Sequence, residues 1–169
     1  MAVQIEIERT ATNHPSPSWR SRLWRYGPLA VWLAFIFFAS TGAMSAANTS
    51  RIIEPLLRWL FPNITESQLL GTHFAVRKLA HFSEYAVLAL LAARAFLSST
   101  KDLLRRRWFI SVLVLVAVYA LLDEYHQSFV PTRTASIYDS MIDTAGGLTA
   151  LVLLALRRTW RWPSRANGA

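Results

Sequence analysis

The chain has 169 residues, no cysteine, a formal net charge of +8, 53% hydrophobic residues and a positive mean hydropathy. Without cysteine there is no disulfide framework, thiolate metal site or cysteine nucleophile, and so much apolar sequence in a short chain points to a membrane protein rather than a soluble domain. The surplus basic residues flank apolar runs and form no stripe on a polar helix, so they read as a topology signal and no nucleic-acid partner is expected.

Residues 1–25 are polar, with Pro15 and Pro17 in a Ser-rich stretch, and read as a disordered basic tail. The run from Tyr26 to Met44 is long enough for a first membrane-spanning helix. Its small residues near "GAMSAA" also suit a cleaved signal peptide. The preceding tail with Glu6 and Glu8, and the Trp and Phe inside the run, favour a retained anchor. In "SRIIEPLLRWLFP", apolar residues on both sides of Pro55 and two spaced arginines suit a short helix lying on the membrane surface. Thr65 and Gln68 have capping-box spacing, so a helix is expected to begin there and run into the second span, about 78–97. The third span is expected at about 108–125. The fourth is expected at 139–156, because its purely apolar part, from Thr144, is too short to cross alone. Asp143 therefore falls at membrane depth, where a carboxylate faces the bundle interior or a water-filled cavity.

Basic residues set the orientation. Arg9, Arg20, Arg22 and Arg25 precede the first span; Lys101, Arg105, Arg106 and Arg107 crowd the second connection; Arg157, Arg158, Arg161 and Arg165 follow the last span. The third connection has only Arg133, and the first spreads its four over a longer stretch. The positive-inside rule places both termini and the second connection in the cytoplasm. The expected fold is all-α: a four-helix transmembrane bundle over 26–157 with a short interfacial helix outside and a basic cytoplasmic tail over 158–169.

Lys78, His81 and Tyr85 then share one face of the second span, with Glu84 close to it. Asp123, Glu124, His126 and Gln127 close the third span, and Asp139 and Asp143 open the fourth one turn apart. Arg133 and Ser136 lie in the link between them. Taken singly, Asp123, Glu124 and His126 read as readily as solvated helix ends as site residues, and Lys78 with His81, and Asp143, as readily as interhelical salt bridges. Together, from separate parts of the chain, they imply a polar pocket open to the outside. Gly146 and Gly147, below Asp143, would let another helix approach closely.

At these residues the chain resembles the VanZ-like family of small bacterial membrane proteins. The likeness rests on "RKLAHFSEYAVL" from Arg77 to Leu88, "DEYHQSFVPTR" from Asp123 to Arg133, Asp139 with Gly146 or Gly147 downstream, and "FIFFAS" ending at Ser40. Two positions depart from the pattern: Asp143 stands where the family usually has Asn, and Thr132 where it usually has Gly. The resemblance implies a multi-pass protein of the bacterial cytoplasmic membrane with a cell-envelope role. The family's founding member is associated with resistance to the glycopeptide teicoplanin.

Three readings of the pocket follow. In the first, Arg77, Lys78 and Arg133 clamp an anionic lipid or lipid-linked envelope precursor, Gln127 and Tyr85 orient it, and Asp139 and Asp143 complete the lining. In the second, a membrane-embedded enzyme acts on a lipid-linked substrate with His81 as general base and Glu124 or Asp123 as its carboxylate partner. In the third, Asp143 and His81 relay protons in a carrier, although no inverted repeat is evident. A metal site from His81, His126 and the carboxylates has no HExxH-like spacing behind it, so no metal and no cofactor are expected. Membrane lipids are the expected partners, and a homo-oligomer is left open.

Overall fold

The computed structural model describes residues 18–41, 46–131 and 136–160, without the side chains of 46–49 and 52. Every element among them is a helix: α1 (Trp19–Ala39), α2 (Ala46–Leu60), α3 (Glu66–Leu97), α4 (Asp102–Arg106), α5 (Trp108–Gln127) and α6 (Ile137–Trp160). Three of these, α3, α5 and α6, are long and apolar enough to cross a membrane. The expectation of four is therefore met at three positions. In α1, Arg20, Arg22 and Arg25 occupy the first turns, and the helix ends at Ala39, while Met44 lies outside the described residues. Its start at Trp19 rather than Tyr26 follows from the Ser18 cap, whose Oγ accepts from Ser21 N at 3.4 Å.

The long second helix begins where its capping box does. Thr65 Oγ1 accepts from Gln68 N at 3.3 Å and Gln68 Oε1 accepts from Thr65 N at 3.0 Å, satisfying two donors that the first turn would otherwise strand. The helix then runs unbroken to Leu97. Before it, Arg58 of α2 donates to Glu54 at 3.0 Å and Glu66 at 2.6 Å, tying α2 to the start of α3. Glu66 first, and Glu54 with it, hold the exposed Arg58 guanidinium above its ordinary pKa.

Hydrogen bonds between helices fix their directions. Arg94 donates to Trp24 O at 3.0 Å, Tyr26 Oη bonds Ser99 Oγ at 2.9 Å, and Trp32 Nε1 donates to Glu84 O at 2.9 Å. Residue numbers rise along α1 as they fall along α3, so these two are antiparallel. Tyr119 Oη donates to Leu33 O at 2.6 Å, and Ser40 bonds Asp123, so α5 runs with α1. The Lys78–Asp139 and His81–Asp143 pairs make α3 and α6 parallel to each other. The interior is lined by small and branched side chains, among them Ala89, Ala92 and Ala93 of α3, Val112 and Val116 of α5, and Leu151 of α6. Larger apolar groups such as Val31, Leu70, Leu79, Val114 and Leu153 point outward. That inside-out distribution suits a bundle surrounded by hydrocarbon, whose interfaces favour small residues.

Helix α6 lies close against α3 at Gly146. A Cβ on Gly146 would stand 2.2 Å from the Phe82 carbonyl oxygen, and one on Gly147 would stand 2.7 Å from Val116 Cγ1. The first contact is with backbone and cannot be relieved by a rotamer change. Gly146→Ala is therefore expected to lower the unfolding free energy by about 1–3 kcal/mol through overpacking. Gly71→Ala, whose Cβ would meet nothing within 4 Å, is expected to be neutral or slightly stabilising. Thermal unfolding of both variants in detergent tests the difference, and equal melting temperatures would show that the helices part easily.

Candidate functional site

Four helices deliver polar side chains to one end of the bundle: the end of α1, the middle of α3, the end of α5 and the start of α6. Because α3 and α6 are parallel, their polar residues pair in two rungs. The upper rung is the ion pair of Lys78 and Asp139, both mostly buried. One turn along each helix, His81 Nδ1 lies 3.5 Å from Asp143 Oδ1. That second separation is within ion-pair range but does not meet hydrogen-bond geometry, and neither atom has another hydrogen-bond partner.

Behind the lower rung sits α5. Asp123 accepts from Ser40 Oγ and, at 2.9 Å, from Gln127 Nε2. The His81, Asp123 and Asp143 ligand atoms all lie within 4.8 Å of one another. Tyr85, Gln127 and Asp143 are each 0% exposed. The Tyr85 hydroxyl, Gln127 Oε1 and both Asp143 oxygens have no hydrogen-bond partner. Glu124 is directed elsewhere: its Oε2 accepts from the backbone N–H of Ser136 at 2.7 Å, capping the approach to α6. The His126 ring stacks against Phe37 with centroids 4.6 Å apart and takes no part in the group.

The predicted residues thus separate into two regions. Arg77, Lys78 and Asp139 line an outer cleft of about 390 Å³ with Phe74, Ser136, Tyr138 and Ile142. Tyr85, Asp123, Gln127 and Asp143 lie inside the bundle, and the mostly buried His81 is paired with Asp143. Arg77 has no ion-pair partner among the described residues. Arg133, the third expected cation, and Thr132 lie outside the described residues. Asp143 rather than Glu124 is the carboxylate nearest to His81 in ion-pair range.

A family model described as VanZ/LLP1 matches residues 26–158. The chain belongs to the VanZ/LLP1 family. The matched stretch takes in both regions and the greater part of the helices that build them. Neither the curated proteins nor the solved structures provide a match to this chain. The site of this VanZ/LLP1 member is therefore read from its own geometry.

Two contributors were not singled out from sequence. Ser40 stands at the end of an apolar run, yet it bonds Asp123 across the bundle. Trp32, inside the first apolar run, donates to the Glu84 carbonyl one residue from Tyr85. A hydroxyl ending a run as apolar as "FIFFAS" was the available signal for Ser40.

The Asp123–Gln127 bond makes a direct prediction. Gln127→Met keeps the volume and removes the donor, leaving a buried carboxylate oxygen without it, and is expected to destabilise by about 1–3 kcal/mol. Adding Asp123→Asn removes the stranded charge and is expected to recover part of that loss, which a double-mutant cycle of thermal unfolding measures.

Proposed function

We propose that this VanZ/LLP1 protein holds an anionic lipid headgroup, of a membrane lipid or a lipid-linked envelope precursor, in the cleft between α3 and α6. The observation that carries the reading is the outer cleft itself. Arg77 lines it with no acidic partner among the described residues, and Lys78 lies beside it, tethered by Asp139. The walls supplied by Phe74, Tyr138 and Ile142 are apolar, as an acyl chain below a phosphate requires. Guanidinium is the side chain best matched to phosphate geometry. Arg77→Gln is expected to weaken retention of phosphatidylglycerol about tenfold, the equivalent of one charge-assisted contact. Native mass spectrometry of detergent-purified protein titrated with phosphatidylglycerol or phosphatidylcholine measures it. Equal retention of both lipids by the unaltered protein would sink the reading.

In this proposal α3, α5 and α6 cross the bacterial cytoplasmic membrane. Although α1 is less apolar, it accompanies them, since its contacts run from Trp24 beside Arg94 to Ser40 beside Asp123. Both basic termini are cytoplasmic, the cleft opens outward, and α2 lies on the outer surface with Leu56, Trp59 and Leu60 exposed to lipid. The cysteine-free chain makes orientation testable by single-cysteine labelling. Ser128→Cys and Thr65→Cys are expected to react with an impermeant maleimide applied outside intact cells. Thr100→Cys and Thr159→Cys, equally exposed at the other end, are expected to react only after permeabilisation. The reverse pattern places the cleft in the cytoplasm.

A second reading draws on the His81–Asp143 pair. An imidazole held 3.5 Å from a buried carboxylate and still partly exposed has the arrangement of a general base. In that reading the chain acts on the lipid-linked ligand instead of only holding it.

A further inference from the structure

Among the described residues eight buried side-chain polar atoms lack a hydrogen-bond partner; three of them are His73 Nε2, Glu124 Oε1 and His126 Nδ1, and the other five belong to one group. His81 Nδ1, both oxygens of Asp143, the Tyr85 hydroxyl and Gln127 Oε1 are buried without a hydrogen-bond partner. Tyr85, Gln127 and Asp143 are wholly inaccessible. Asp123 is the neighbouring carboxylate, held from two sides by Ser40 and Gln127. Such groups are normally paired, and a buried carboxylate with no donor is among the most unfavourable arrangements a fold can retain. Each unsatisfied atom here can present a lone pair, and Asp143 with the neighbouring Asp123 brings two carboxylates to the group. What satisfies lone pairs and negative charge together is a cation.

We propose that His81, Asp123 and Asp143 bind a divalent transition-metal ion, zinc or manganese, inside the bundle beneath the Lys78–Asp139 pair. The three ligand atoms lie within 4.8 Å of one another. His81 Nδ1 and Asp143 Oδ1 are 3.5 Å apart, close to the roughly 3.4 Å that separates two ligands about 2.1 Å from a tetrahedral ion. A single imidazole with carboxylates suits zinc or manganese better than calcium or magnesium, which take oxygen alone. Ser40 and Gln127 supply the outer hydrogen bonds that orient a ligating carboxylate. The Tyr85 hydroxyl and Gln127 Oε1 are the neighbouring oxygens available to a bound water or a fourth position. Because His81 is 14% exposed and Asp143 is 0% exposed, the ion reaches the site past His81. The site is separate from Arg77 and stands or falls independently of lipid binding. A metal-bound His81 Nδ1 is also unavailable as a general base.

The test is elemental analysis of the full-length protein purified in detergent without chelator and with a tag lacking histidine. About one zinc or manganese per chain is expected. After treatment with EDTA, calorimetric titration with Zn²⁺ and with Mn²⁺ is expected to restore one equivalent of at least one of them and to raise the melting temperature. Asp143→Asn and His81→Gln are expected to reduce the bound metal at least tenfold while eluting as folded, monodisperse protein. Asp102→Asn, an exposed carboxylate at the other end, is expected to leave it unchanged. Failure of the chelated, folded wild-type protein to take up either ion stoichiometrically overturns the proposal. Undiminished binding by both site variants also overturns it. If one variant fails to fold, the other and the wild-type titration still decide.

Discussion

The contact on which the rest of the structure depends is the glycine face of α6 against the backbone of α3. With Gly146 the two helices come so close that a single methyl group would stand 2.2 Å from the Phe82 carbonyl. Where hydrocarbon surrounds the protein, apolar side chains gain little by meeting each other, so helix association leans on close van der Waals contact between small residues. Here that contact has a chemical consequence. It sets the two helices side by side and parallel, and so places Lys78 opposite Asp139 and His81 opposite Asp143. A wider crossing would leave four ionisable groups with nothing within reach.

The remaining helices complete the arrangement from behind. Tyr119 and Trp32 bond to backbone carbonyls of neighbouring helices, fixing α1 and α5 along their length. Their ends then bring Ser40, Asp123 and Gln127 to the same level as the lower rung. Two environments result a helical turn apart. The outer one mixes cations with apolar walls, and the inner one holds carboxylates and lone pairs with no cation among the described residues. A phosphate suits the first and a metal ion suits the second.

Retaining Asp143 at full burial is costly unless something compensates it. His81 is the nearest candidate, but at 3.5 Å without hydrogen-bond geometry it compensates only partly. The bond from Ser136 N engages one oxygen of Glu124 and Ser40 and Gln127 engage both oxygens of Asp123, which leaves Asp143 as the carboxylate with neither oxygen hydrogen-bonded. This division of labour among three carboxylates is what separates a link-stabilising residue from those facing the interior.

Much was legible in the sequence. Apolar run length gave the helices α3, α5 and α6, and the Thr65–Gln68 spacing gave the start of α3, because hydrogen bonding within a turn is a local matter. The motifs from Arg77 to Leu88 and from Asp123 onward pointed to the polar end of the bundle, and the glycine pair to a close crossing. Local pattern placed the start of α1 too late, since the Ser18 cap draws Arg20, Arg22 and Arg25 inside the helix, and the expected end at Met44 lies outside the described residues. Which polar groups meet was beyond the sequence: His81 could have faced Glu124 as readily as Asp143, and only the rotation of each helix about its axis decides. That rotation is set by side-chain interlocking between helices distant in sequence, as Gly146 does against Phe82 and Ser40 against Asp123. The sequence by itself determined which helices form and which end of each is polar. The tertiary structure alone decided that the polar groups divide into an outer cationic cleft and an inner acidic cluster, because burial and pairing are properties of the space between helices.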